Sequence, residues 1–164
     1  MPSGIGWRRS AAAVGLILLA GAATPPALAQ SSAFAGLAGA WSGSGHIRLD
    51  QGQSEAIRCS ATYIPRGGGT ALGLSLRCAS ASGRVELRAS LSASGGHVSG
   101  SWEERTYNLS GRVSGSASGD TLRLSITGGI SGSMTVTTSG GSQSISVRTD
   151  SAIRGVSVSL RRSN

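Results

Sequence analysis

The stretch that decides the fold is Ile57-Arg58-Cys59-Ser60-Ala61-Thr62-Tyr63, then Gly67-Gly68-Gly69, then Leu72-Gly73-Leu74-Ser75-Leu76-Arg77-Cys78. Ile57, Cys59, Ala61 and Tyr63 share one parity, and Arg58, Ser60 and Thr62 take the other. Beyond the glycines, Leu72, Leu74, Leu76 and Cys78 alternate with Gly73, Ser75 and Arg77. Successive side chains of a strand point to opposite faces, so this alternation predicts two strands, each with one apolar face. A hairpin turning between Gly68 and Gly69 sets Cys59 directly opposite Cys78, both on the apolar face. Opposed positions on one face hold their Cβ atoms about 4.5–5.5 Å apart, within reach of a disulfide. Alternation and cysteine spacing thus agree on a single register.

The same period of two runs on either side of this hairpin. Before it come Trp41, Gly43, Gly45, Ile47 and Leu49; after it come Val85, Leu87, Ala89 and Leu91. Further on lie Val98, Gly100, Trp102; Tyr107, Leu109, Gly111, Val113; Leu122, Leu124, Ile126; Ile130, Gly132, Met134, Val136; Ile145, Val147; and Val156, Val158, Leu160. No sustained helical periodicity interrupts them, and only Phe34-Ala35-Gly36-Leu37 reads as a short helical turn. About ten such runs, separated by Gly, Ser and Asp turns, predict an all-β domain with half-buried antiparallel strands. A closed barrel and a sandwich both fit this pattern. Four echoes favour the barrel: Trp41-Ser-Gly-Ser-Gly45, Val98-Ser-Gly-Ser-Trp102, Val113-Ser-Gly-Ser-Ala117 and Ile130-Ser-Gly-Ser-Met134. Each puts a glycine on the apolar face, where glycine marks a bend or a close backbone approach of the kind a small closed barrel needs.

Around the strands, the sequence divides into 1–29, a cleavable signal peptide; 30–38, an N-terminal linker; and 39–164, the β-barrel domain. Arg8-Arg9, an apolar run from Ala11 to Ala23 and the exit Ala27-Leu28-Ala29 form the charged, apolar and small-residue regions of an export signal. The apolar run is shorter than the roughly 20 residues of a spanning helix. A periplasmic or secreted protein is expected, and in such compartments an even pair of cysteines forms a disulfide. The net charge is +8, carried by arginine without a single lysine. The arginines are dispersed singly along the strands, which reads as a solvated outer surface and not as a nucleic-acid stripe.

The residues of catalysis are not assembled. His46 and His97 lack cysteine or acidic partners at ligand spacing, so no metal site is expected. The adjacent Glu103 and Glu104 point to opposite faces of a strand and cannot act as a pair. Gly67-Gly68-Gly69 precedes Thr70 and a strand, which excludes a phosphate loop. No G-x-S-x-G elbow is present. The expectation is a protein that is not an enzyme and carries no cofactor.

Gly39-Ala40-Trp41 at the head of the first strand resembles the G-x-W feature of lipocalin and fatty-acid-binding (calycin) barrels. The resemblance implies a single antiparallel up-and-down barrel of about 8–10 strands, with Trp41 closing one end against a basic residue of the last strand. Arg162 holds that position here, with Arg161 as its neighbour if the register slips. The whole chain after the leader, with Trp41-Ser-Gly-Ser-Gly45, the cysteine pair and Trp102-Glu103-Glu104, also resembles a group of small exported alphaproteobacterial β-barrel proteins. That likeness implies a fold and no mechanism.

The function expected is a non-enzymatic, monomeric periplasmic or secreted protein, holding a small apolar or amphipathic ligand in the barrel lumen. Inward glycines and alanines leave room for it, and Tyr63, Trp102 and Tyr107 are its candidate contacts. No nucleic-acid partner is expected. The alternative is a structural or adhesin-like surface β protein, suggested by the Ser/Thr-rich strands from Met134 to Val147. An integral outer-membrane barrel would show aromatic girdles, which 4% aromatic residues cannot supply.

Overall fold

The computed structural model describes residues 32–163; the leader expected at 1–29 lies outside them. A short 3-10 helix (Ala35–Leu37) precedes ten strands: β1 (Gly39–Leu49), β2 (Ser54–Arg66), β3 (Ala71–Ala79), β4 (Arg84–Ser94), β5 (His97–Glu104), β6 (Leu109–Ser118), β7 (Thr121–Gly128), β8 (Gly132–Ser139), β9 (Ser142–Thr149) and β10 (Ile153–Arg162). Every strand pairs antiparallel with its sequence neighbours, and β1 pairs with β10. The sheet is therefore a closed up-and-down barrel, not a sandwich. Closure also rules out a solenoid, because no strand edge is left open for stacking.

The hairpin of β2 and β3 has the register read from sequence, with Cys59 opposite Cys78 and Arg66 opposite Ala71. The two cysteines form the disulfide. Gly67, Gly68 and Gly69 all have positive φ, at 57°, 66° and 89°. Only glycine takes three such positions in a row without steric cost, which is why this turn is written in glycine.

Apolar side chains at alternate positions face the interior, while Ser, Thr and Arg cover the outer wall. The echo glycines Gly43, Gly100, Gly115 and Gly132 all lie on the inner face, as do Gly45 and Gly111. A Cβ at any of them would run into a carbonyl of the adjacent strand: Ser159 for Gly43, Thr127 for Gly111. The sheet coils so tightly there that no side chain fits between strands. One irregularity breaks the β1–β10 ladder. Arg48 pairs with Gly155 but Leu49 pairs with Ile153, so Arg154 bulges out.

Because the strands run up and down, the barrel has two distinct ends. One carries the 3-10 helix, the Gly67–Gly69 turn and Arg162; the other carries the turns around 50–53, 80–83, 105–108 and 150–152. The least exposed large side chains, Phe34, Trp41, Val98 and Leu160, all belong to the first end. Residues 32–38, the described part of the linker expected at 30–38, pack there as a plug. Among the described residues no helix is long and apolar enough to cross a membrane.

Candidate binding lumen and its closed end

At the plugged end, β1 and β10 bring Trp41 and Arg162 into register as direct partners. The Arg162 guanidinium carbon lies 4.6 Å from the centre of the Trp41 ring, within the reach of a cation–π contact. Arg162 also donates through Nη2 to the Gly36 carbonyl at 2.7 Å and through Nη1 to the Ala38 carbonyl. The Trp41 indole N–H donates to the Leu37 carbonyl at 2.8 Å. The Phe34 N–H donates to the Gly69 carbonyl at 3.1 Å, tying the plug to the β2–β3 turn. One residue from each terminal strand thus holds the helix over the barrel mouth.

Tyr63, opposite Gly39 on the neighbouring strand, stands edge-on to Trp41 with ring centres 6.3 Å apart. Its hydroxyl donates to Gln143 Oε1 at 2.7 Å, and Gln143 Nε2 donates to Thr138 Oγ1 at 3.2 Å. Burial pushes the Tyr63 hydroxyl up to about 12, although the bond to Gln143 works in the opposite direction. A neutral tyrosine and an amide therefore span the interior between β2 and β9. Gln143 was not singled out from sequence. Its signal is a polar side chain at the inward parity of Ile145 and Val147.

Trp102 faces inward from β5 and crosses the side-chain-free Gly111 of β6, so that its indole N–H donates to the Thr127 carbonyl at 3.3 Å. Tyr107 does not reach the lumen. Sequence alternation carried β6 back to this residue, but the strand starts at Leu109 and Tyr107 sits in the preceding turn, 60% exposed. The turn is shaped by Glu104, whose carboxylate accepts backbone N–H bonds from Glu86 and Thr106 at 2.9 Å and Tyr107 at 2.6 Å. Burial raises the Glu104 pKa, but these N–H groups outweigh it and hold the carboxyl below its usual range. In the adjacent hairpin Glu55 acts in the same way. It accepts from Ser82 N–H at 2.5 Å and Ser82 Oγ at 2.6 Å, and those bonds lower its pKa. Both carboxylates are consumed in holding turns.

Between the two ends, the inward apolar residues fall into two groups. Ala61, Val113, Leu124 and Val158 are buried, whereas Leu74, Leu76, Leu87 and Ala89 on β3–β4 are only partly so. Met134, Ile145 and Val147 on β8–β9 are also partly buried. In a closed ring of this order, β3 and β4 stand across from β8 and β9. Partly covered apolar residues also occur on other strands, among them Leu49, Leu109 and Val156, but these two groups face each other across the ring. Small inward residues, Ala89 and Gly132, lie beside them.

No family model matches the chain, and no curated protein matches it in sequence. Among solved structures, it is similar to Rv2717c from M. tuberculosis, with a TM-score of 0.65. The match covers 79% of this chain and 94% of that one at 14% identity. A likeness at that identity is one of fold alone.

Proposed function

We propose that the protein is an exported, non-enzymatic, monomeric binding protein that holds a small apolar or amphipathic molecule between the β3–β4 and β8–β9 walls. One observation carries this reading: the partly covered apolar residues Leu74, Leu76 and Leu87 stand opposite Met134, Ile145 and Val147, in a barrel plugged at one end. Barrel diameter grows with strand number, and eight strands already suffice to hold one small ligand in some barrels; an apolar lining with few polar groups suits an apolar guest. The Tyr63–Gln143 pair would meet a polar headgroup at the plugged end. The Cys59–Cys78 disulfide fits an oxidising compartment. The mode of binding is calycin-like in this reading, with Trp41 as the floor.

Native mass spectrometry of the protein purified from its own host should show a co-purified small molecule, released on denaturation. A fluorescent fatty-acid analogue should bind the emptied protein. Leu87→Trp with Met134→Trp, which fills the space from both walls, should abolish binding while leaving the β-sheet circular dichroism unchanged. Absence of any adduct and of any probe binding would overturn the proposal and favour a structural surface role.

A further inference from the structure

The outer wall carries a concavity of about 330 Å³ where β1, β10 and β9 run side by side. Its floor is Gly155, and its rim includes His46, Arg48, Ser146, Arg148 and Ser157. The register explains how it forms. Gly155 pairs with Arg48 on one side and with Arg148 on the other, so two arginines flank a position that has no side chain. The next outward row places His46, Ser157 and Ser146 together. The bulge at Arg154 adds local twist beside this row.

We propose that this cleft binds a phosphate monoester, its tetrahedral dianion held between the Arg48 and Arg148 guanidiniums. Two strand spacings, roughly 10 Å, separate the arginine backbones, a span that two long side chains close over one anion. The Arg48 guanidinium already lies across the glycine, with Nη2 3.3 Å from where a Gly155 Cβ would stand. Guanidinium forks are the side chains best matched to phosphate oxygens. The hydroxyls of Ser146 and Ser157 and the ring of His46 supply further donors around the same floor. No acidic residue lines the cleft. Asp50 and Asp150 lie in the neighbouring turns, yet among the described residues the one ion pair joins Arg77 to Glu86. The two arginines are therefore available to an outside anion. The cleft, of about 330 Å³, is wider than the arginine pair alone, which leaves space beside the phosphate for a small organic group.

Glycerol 3-phosphate, titrated into the full exported chain and followed by phosphorus NMR, tests this directly. The wild-type protein should shift and broaden the phosphorus resonance in a saturable way. Arg48→Gln and Arg148→Gln should each weaken binding about tenfold or more, the loss expected for a charge-assisted hydrogen bond. Arg112→Gln with Arg123→Gln removes the same charge as the double cleft variant from elsewhere on the wall, and should leave the affinity within about twofold, since dispersed exposed charges contribute little. Equal losses in the two double variants, or no saturable shift in the wild type, would overturn the site. Vesicles of phosphatidylcholine doped with phosphatidic acid identify the source. Co-sedimentation that depends on Arg48 and Arg148 assigns a lipid headgroup, and glycerol 3-phosphate binding without co-sedimentation assigns a soluble ester. Neither Leu87 nor Met134 lines the cleft, so the Leu87→Trp, Met134→Trp variant should keep phosphate binding intact whether or not a lumen ligand exists.

Discussion

An unfolded tyrosine ionises near 10, while burial holds the Tyr63 hydroxyl up to about 12. A group whose folded pKa is raised keeps its full contribution below the unfolded value and loses it as pH rises towards the folded one. Stability should therefore fall between pH 10 and 12 by on the order of 2–3 kcal/mol. Tyr63→Phe should remove that slope in urea titrations and delete the late phenolate step in ultraviolet absorbance. Glu104 behaves in the opposite sense. Its lowered pKa means that its contribution is complete above the ordinary carboxyl range, near 4.3, and is lost as pH falls through and below it. The backbone N–H bonds outweigh burial, so the carboxylate stays ionised at neutral pH. Glu104→Ala leaves three backbone N–H groups without their acceptor and should cost about 1–3 kcal/mol. Urea unfolding near neutral pH measures it, and below pH 4 the difference from wild type should shrink.

The β2–β3 hairpin was legible because two signals, alternation and cysteine spacing, demanded one register. The β1–β10 ladder was legible only through Trp41 and a likeness to calycin barrels, since periodicity says nothing about which strands meet. The start of β6 was misread because Tyr107 happens to share parity with Leu109. Alternation cannot see the turn that Glu104 builds with three backbone bonds. The arginines show the same limit. Arg48 and Arg148 look solitary along the chain, and only the closed ring sets them on either side of Gly155. The inward glycines were visible as a repeat, but their cause lies in the neighbouring strand. Gly111→Ala tests that cause, because its methyl would collide with the Thr127 carbonyl and crowd the Trp102 Nε1. Overpacking of this kind should cost about 1–3 kcal/mol or more, read by thermal or urea unfolding. Gly140→Ala is a poor control, since its φ of 57° is itself strained for alanine. Gly36→Ala, with open space around the site, is the better one.

On the scale of the whole barrel, the plug is held by contacts between its two extreme strands and the segment before them. Trp41→Ala should cost about 3–5 kcal/mol as a large-to-small change in a packed core. Arg162→Ala should cost less, because the guanidinium is exposed, yet it frees the carbonyls of Gly36 and Ala38. Hydrogen exchange at Leu37 should therefore quicken in Arg162→Ala while exchange in β3 and β4 stays unchanged. Equal acceleration everywhere would mean that the plug and the barrel open as one unit.

The seam between β1 and β10 also imposes an order on folding. Nine of the ten strand pairings join sequence neighbours and can form as each hairpin appears, but the tenth joins Trp41 to Arg162. Until Ile153–Arg162 has been synthesised, β1 has no second partner, and both it and the newest strand present bare edges. The last step must bring together the most distant segments of the sequence, the kind of non-local contact that slows folding. A nascent chain of this design stays open, threadable and exposed to chaperones until its final strand arrives, and only then becomes a closed object.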